Sequence, residues 1–380
     1  MTQHPAPPPA RGAVRSAVEA LLRTCVDLER GTEAVAGQSR ARTRRVSGEL
    51  AGLRRPTADV AALTGRLDAL GRQLEADLRG RLAELRQAYV TEIHALLSLL
   101  APLHGLAPLP PLPPAPAGAG LSDHFPAGFA RAYVDDLVAG VDRSVTLTVA
   151  EASAAPVQRQ TASDQTKSRI GDRLISDDRH EGMRMLQDSE CHAVERHGPH
   201  ITIAAQLARL LWRKDPTGTE YWQPLPHGGA ESDHWCGPAA GGFTSPEAMA
   251  KPLQALLSRA RDHRYGLNEL LTRNTKSKTK RISIHVSAAS AGLVAGDAVG
   301  YRGTGTSDRG MTDDWLDARD HAMIHGAPPV YAVQYDPIAE GADPGAFLMF
   351  KRTGTESWTL VTCYPVGHRN PNCKRMEDLT

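Results

Sequence analysis

Two short stretches hold the residue types with the most chemistry to offer. The first, Cys191-His-Ala-Val-Glu-Arg-His-Gly-Pro-His200, carries three imidazoles and runs directly into Ile201–Leu211, which contains Arg209. Imidazoles move protons near neutral pH, and a guanidinium beside them can hold a phosphate through paired hydrogen bonds. The second, Trp358-Thr-Leu-Val-Thr-Cys-Tyr-Pro-Val366, reads as a strand. Period-two alternation then sets Thr362 and Tyr364 on one face and Val361 and Cys363 on the other, so that one face presents two hydroxyls side by side.

The elements that must position these residues follow from the pattern after Ser189. A helical stretch at Thr202–Arg213 precedes a Gly-, His- and Trp-rich loop at Pro216–Gly242, and a second helix spans Pro246–His263 with Thr244 or Ser245 as its cap. Candidate strands follow at Ile282–Val286, Ala298–Arg302, Val330–Asp336, Phe347–Arg352 and Trp358–Tyr364. Helices first and then an antiparallel sheet indicate an α+β domain.

Upstream the texture differs. Apolar residues recur at Leu63, Leu67, Leu70, Leu74, Leu78, Leu82, Leu85, Tyr89, Ile93, Leu96 and Leu100, one continuous helical stripe. An earlier helix, about Ala13–Leu53, stops at Arg-Arg-Pro-Thr of 54–57, where Pro56 disfavours helix at Arg55. The reading is an all-α hairpin or coiled coil over residues 1–106. Residues 107–120 are a Pro-rich linker, extended polyproline followed by a Gly-containing hinge. Within 121–188 a short helix at Phe129–Val141 and a strand-like Val145–Val149 precede a polar, weakly patterned stretch, which reads as a connector of uncertain order; the last domain is 189–380.

Lys+Arg number 44 against 43 Asp+Glu, a net charge of +1, so no whole-molecule field draws the chain to a polyanion and any such attraction must be local. The one dense basic run of the C-terminal half is Arg273-Asn-Thr-Lys-Ser-Lys-Thr-Lys-Arg281. The five cysteines, at 25, 191, 236, 363 and 373, form no C-x-x-C pair, and reduced thiols are expected. The start, Met-Thr-Gln-His-Pro-Ala-Pro-Pro-Pro, lacks the basic and apolar regions of a secretory signal, so any export would use another route. The longest apolar stretch, about Ala95–Leu109, is broken by Pro102, His104, Gly105 and Pro108, and no membrane span is expected.

Four motifs in order resemble the bacterial RNase A-like toxin domains found at the C-termini of contact-dependent growth inhibition and other polymorphic toxin proteins. They are Glu195-Arg-His-Gly198, Leu207-Ala-Arg-Leu210, Gly242-Phe-Thr-Ser-Pro-Glu-Ala248 and Thr362-Cys-Tyr-Pro365. In order and rough spacing they agree over about 190 residues, from Ser189 to Asp378. The chain departs from the pattern in having Gly198 where the family carries Val and one extra residue between His197 and Arg209. Long segments also stand at 216–242 and 303–329.

The resemblance implies an RNase A-like α+β domain, helices followed by a curved antiparallel sheet, with His197 as catalytic histidine, Arg209 as cationic partner and Thr362 and Tyr364 as the hydroxyl pair. Arg196 and Arg213 stand as substitutes for Arg209. It also implies an endoribonuclease that needs no metal or other cofactor, RNA (tRNA among the candidates) as substrate, and a cognate immunity protein as partner. The helical half would bind secretion machinery or a helical partner, and the chain would reach a target-cell cytoplasm by a route independent of a signal peptide. The chemistry is coherent in itself: RNA cleavage without metal needs a base for the 2′-hydroxyl, an acid for the departing 5′-oxygen and donors aimed at the phosphorane. A metal site at His192, His197 and His200, or at His234 and Cys236, has no established ligand spacing, and Pro199 breaks any helix that would align His197 with His200. Val299-Gly-Tyr-Arg-Gly-Thr304 resembles the strand arginine of ADP-ribosyltransferases, the alternative enzyme class; of the glutamates after Arg302, Glu340, Glu356 and Glu377, none stands in a Glu-x-Glu setting. A non-catalytic binding or scaffold protein is the third reading.

Overall fold

The computed structural model describes residues 11–51, 58–114, 120–263, 266–276, 278–307, 309–327, 329–355 and 357–380. They form two compact units, the first running to Asp142 and including Ser307–Ala318, the second comprising Arg143–Thr306 and Arg319–Thr380. No helix among the described residues is long and apolar enough to cross a membrane.

In the first unit α1 (Arg11–Ala51) and α2 (Ala58–Leu103) pack as a hairpin, joined by α3 (Phe129–Val141). The corner expected at 54–57 lies outside the described residues. Val14, Val18, Leu22 and Cys25 of α1, spaced by three and four, meet Val90, Ile93, Leu97 and Leu100 of α2 and Tyr133, Val134 and Leu137 of α3. The leucine stripe on α2 is buried only toward this end, while Leu63, Leu70, Leu74 and Leu85 stay exposed. Two helices cover only a narrow seam of each other, and α3 supplies its cover at one end alone.

Residues 121–188, read as a connector of uncertain order, are instead built of α3, β1 (Ser144–Val145), α4 (Val149–Ala154), α5 (Gln160–Gly171) and α6 (Ser176–Gln187). The strand expected over 145–149 gives way to a helix because Thr148 caps α4, its hydroxyl accepting from Glu151 N at 3.2 Å while the Glu151 carboxylate accepts from Thr148 N at 2.7 Å. Ile170, Leu174, Met185 and Leu186 belong to the core of the second unit, which therefore begins well before Ser189. The pattern was hidden because α5 also buries Ser163, Thr166 and Lys167. Lys167 Nζ reaches Glu195 at 2.5 Å and Ser163 Oγ donates to the same carboxylate at 2.9 Å, both ion-pair partners being almost fully enclosed. Lys167→Met leaves Glu195 buried without its counter-charge and is expected to cost about 3 kcal/mol in urea unfolding.

The second unit continues with α7 (Ala193–His197), α8 (Ile203–Trp212), β2 (Trp222–Pro224), β3 (Ala230–Ser232), β4 (Ala239–Phe243), α9 (Pro246–Asp262), α10 (Leu267–Arg273), β5 (Arg281–Ser287), α11 (Ala288–Ala291), β6 (Ala298–Gly303), α12 (Arg309–His325), β7 (Ala332–Tyr335), α13 (Pro337–Glu340), β8 (Gly345–Arg352), β9 (Trp358–Val366) and β10 (Lys374–Arg375). Helix α12 occupies most of the long segment 303–329, and its residues from Arg319 on belong to this unit. Its buried positions recur at Met311, Trp315, Ala318 and Ala322, but Asp314 and Arg319 are buried among them and mask the stripe.

The strands form two four-stranded sheets, ordered β1-β7-β6-β4 and β10-β5-β8-β9, and a β2-β3 ribbon, rather than one sheet. All described pairings are antiparallel except β10 with β5. Ile284 and Val286, Leu348 and Phe350, and Leu360 and Cys363 turn one face of the second sheet toward Leu253, Leu256 and Leu257 of α9 and Leu270 of α10. On β9 the register shifts: Leu360 opposes Phe350, Thr362 opposes Met349, and Val361 is the extra residue of a bulge. The bulge lets Leu360 and Cys363 share the core face while Thr362 and Tyr364, paired with Met349 and Phe347, turn to the other.

Candidate functional site

The bulge also fixes the start of the histidine-bearing helix. The carbonyl of Val361 accepts from His192 N at 3.0 Å, tying the entry of α7 to the terminal strand. From the other side α7 meets β4, where a Cβ on Gly242 would lie 2.6 Å from the His197 carbonyl oxygen. Only glycine permits that approach. The neighbouring Gly241 carbonyl lies 2.8 Å from His197 Nδ1. Since a carbonyl only accepts, Nδ1 carries the proton and Nε2 keeps its lone pair.

His197 Nε2 faces Arg209 Nη1 at 3.5 Å, and its ring stacks on Tyr364 with centroids 4.9 Å apart. Tyr364 stacks in turn on Phe347 at 4.8 Å. The structure thus gathers His197, Arg209 and Tyr364, three of the four residues expected from sequence. Thr362 stands two residues from Tyr364 on the same strand face, its Oγ1 buried and without a hydrogen-bond partner. An unpaired buried hydroxyl costs about 1–3 kcal/mol, so it is a donor waiting for an acceptor. Arg209 and Tyr364 are half-buried, while His197 is 4% exposed and Thr362 5%.

Arg209 is held from the last turn of α8. That helix starts at Thr202, whose hydroxyl accepts from Ala205 N at 3.2 Å, and ends at Arg213 with φ of 52°. Arg209 Nε donates to His234 Nε2 at 3.1 Å, so the proton of His234 sits on Nδ1, which donates to Glu220 Oε2 at 2.7 Å. Glu220 Oε1 takes Arg196 Nη2 at 2.5 Å, and Arg196 Nε reaches Asp215 Oδ1 at 3.0 Å. Among the described residues Arg196 therefore has two carboxylate partners and Arg209 none. Arg196 serves the scaffold. Arg213 donates from Nε to the His234 carbonyl at 2.7 Å and, like Arg209, has no carboxylate partner among the described residues.

Burial and the Arg209 charge hold His197 well below the ordinary histidine value of 6.5, so at neutral pH it is an unprotonated imidazole. His192 is pushed down to about 4 by burial and then by the Arg196 and Arg209 charges. Burial raises the Tyr364 phenol to about 12, which keeps it a hydrogen-bond donor. For Asp215 burial acts upward, but hydrogen bonds from Thr217 and Arg196 overcome it and hold the carboxyl well below the usual range.

Asp215, Glu220 and His234 present ligand atoms within 4.8 Å of one another, a geometry that could hold a metal ion. Each of those groups is already engaged by Arg196 or Arg209, so an ion there would have to displace a guanidinium. His200 Nδ1 is 3.2 Å from Thr166 Oγ1 and His197 Nδ1 is taken by Gly241, which separates the imidazoles of the first stretch. All five cysteines are free and buried.

The support that Glu220 and His234 give Arg209 was missed in the sequence because both lie in the stretch 216–242, read as a loop. A signal was present: Glu220-Tyr-Trp-Gln and Ala230-Glu-Ser-Asp-His-Trp-Cys236 flank the tight Pro-His-Gly-Gly of 226–229, as a hairpin would. On the other sheet Arg302 lies 5.5 Å over the Tyr335 ring. Glu340 accepts from Asp336 N and Glu377 from Ser287 Oγ, while Glu356 lies outside the described residues. No protein-family model matches the chain, and no curated protein or solved structure matches it.

Proposed function

We propose that the chain is a metal-independent endoribonuclease of toxin type, cleaving RNA by attack of the 2′-hydroxyl on the adjacent phosphorus. The observation that carries this reading is Arg209: a half-buried guanidinium with no carboxylate partner among the described residues, bonded to His234 and facing His197, beside two hydroxyl side chains. Such a charge is poised for a dianionic phosphorane. His197 Nε2 takes the 2′-hydroxyl proton, O2′ bonds to phosphorus, and the P–O5′ bond breaks. Thr362 Oγ1 donates to a non-bridging oxygen, and Tyr364, more acidic than an alcohol even when its value is raised, gives its proton to O5′. The products are a 2′,3′-cyclic phosphate and a 5′-hydroxyl.

The test is to incubate the full chain with total RNA in excess chelator and analyse the ends. Cyclic phosphate ends, with DNA and 2′-O-methyl RNA untouched, are expected; cleavage that needs a divalent ion, or that leaves 5′-phosphates, would sink the reading. An active ribonuclease endangers the cell that makes it, so the same reading calls for an immunity protein that covers Arg209 and Tyr364, and for a delivery or partner-binding task in the α1–α2 hairpin.

His234 acts on Arg209 and not on substrate. His234→Ala is expected to lower kcat about tenfold by letting the guanidinium swing, while His234→Gln, whose amide oxygen can still accept from Arg209 Nε, restores most of it. Equal loss in both variants would mean that His234 only supports the fold.

A further inference from the structure

The β2–β3 ribbon has two faces, and only one is explained by the site. Pairing of Trp222 with Ser232 is extended one step by Asp233 N donating to the Tyr221 carbonyl at 3.1 Å. Residues Glu220, Trp222, Ser232 and His234 then face inward: Trp222 Nε1 donates to the Trp212 carbonyl at 2.7 Å, Ser232 Oγ to the Arg213 carbonyl at 2.6 Å, and Glu220 and His234 hold Arg209. Tyr221, Gln223, Glu231 and Asp233 alternate with them and are exposed, Tyr221 at 45%, and Trp235, beyond the last paired residue, is exposed at 78%. Leaving an indole in water forfeits the burial that usually keeps it inside. The backbone that carries it is nonetheless pinned, His234 N to Ser232 Oγ, His234 O by Arg213 and the Gly237 carbonyl by Arg319. The indole is displayed on a rigid mount one residue from the side chain that holds Arg209.

We infer that this outer face is a stacking platform for unpaired nucleobases, with Trp235 and Tyr221 as the stacking surfaces and Asp233 between them as the reader of base edges. This deepens the ribonuclease reading by making single-stranded RNA the substrate class. Aromatic rings on an exposed strand pair offer every base a π-face, and only unpaired bases can reach them. The face carries no lysine or arginine, so what it offers a strand is contact with bases and not with phosphates. Glu231 is occupied, accepting from Tyr221 at 3.4 Å and Gln223 at 3.1 Å. The Asp233 carboxylate accepts from no described residue, and a carboxylate fork matches an edge with adjacent N–H donors. Guanine alone among the four bases presents two, N1–H and N2–H, side by side.

The experiment measures binding of the full chain to uncleavable single-stranded 2′-O-methyl hexamers that contain one guanine or none. The guanine hexamer is expected to bind several-fold more tightly. Trp235→Ala is expected to weaken both about tenfold and Trp235→Phe much less, and Asp233→Asn to abolish the guanine preference. Trp235 is at the surface, so Trp235→Ala folds normally. Hexamer binding unchanged in Trp235→Ala, or no binding by the parent chain, overturns the platform, including the case where Trp235 proves to contact a protein. Because the probe is not cut, the two readings fail separately: RNA cleavage with no Trp235 effect removes the platform alone, and Trp235-dependent binding without cleavage removes the ribonuclease alone.

Discussion

His197→Ala is expected to lower kcat for RNA cleavage by about 10³-fold while leaving affinity for an uncleavable RNA within twofold. The magnitude is that of a general base in the transition state, and the small binding effect follows because Arg209, Thr362 and Tyr364 remain. A loss of fold could mimic it, since His197 is buried and bonds Gly241. His197→Asn separates the two: its amide nitrogen can replace Nδ1 as donor to Gly241, but it cannot take a proton. Activity of His197→Asn above one tenth of the parent would remove His197 from the proton transfer.

The pH dependence has a definite sign. His197 is effective as a base only unprotonated, and its value lies well below 6.5, so kcat/KM is expected to be level from pH 6.5 to 8 and to fall on the acid side. Stability runs the same way. His197, His192, His200, His234 and His285 all have folded values below 6.5, burial being the leading cause in each. Above pH 6.5 they are neutral in folded and unfolded chains alike and cost nothing. As the pH drops, the unfolded chain takes up protons that the folded chain refuses, and stability is lost from about 6.5 down toward 4, where His192 titrates in place. Urea midpoints measured across that range should decline steadily. His192→Asn should flatten the slope, and a midpoint that rises on acidification would contradict the buried neutral state.

What was legible in the sequence is what local rules control. The Phe129–Val141 helix, the Pro246 helix with its Ser245 cap and the order of the last strands follow from periodicity, capping and β-branched runs, and the structure places them within a few residues. The shared face of Thr362 and Tyr364 was also readable, though the bulge at Val361 that reconciles it with a buried Leu360 was not. Helices α5 and α12 escaped because each buries charged residues that a hydropathy pattern scores as solvent-facing; Lys167 is rendered apolar in effect by Glu195, far away in sequence. The support that Glu220 and His234 give Arg209 was hidden as well. Their importance lies in what they touch, and a contact across 14 to 25 residues leaves no mark in the spacing of either stretch.

Arg209→Ala is expected to reduce kcat by 10²- to 10³-fold, the usual cost of removing one donor aimed at developing charge in an enclosed site. Arg209→Lys should recover little of this. The present guanidinium makes two directed contacts at once, Nε to His234 and Nη1 toward His197 Nε2, and a lysine ammonium cannot span both while presenting a planar fork to phosphate. Removing the charge also relieves the coulombic pressure on His197 and His192, so both imidazoles should titrate closer to 6.5 in the variant. The residual activity of Arg209→Ala should therefore lose its acid-side plateau, its pH midpoint moving upward. That shift distinguishes a cation seated over the reacting phosphate and the base from one that merely braces the helix end: a tenfold or smaller loss with an unmoved pH profile would assign the phosphate to another group, Arg213 before Arg196, whose guanidinium is held by two carboxylates.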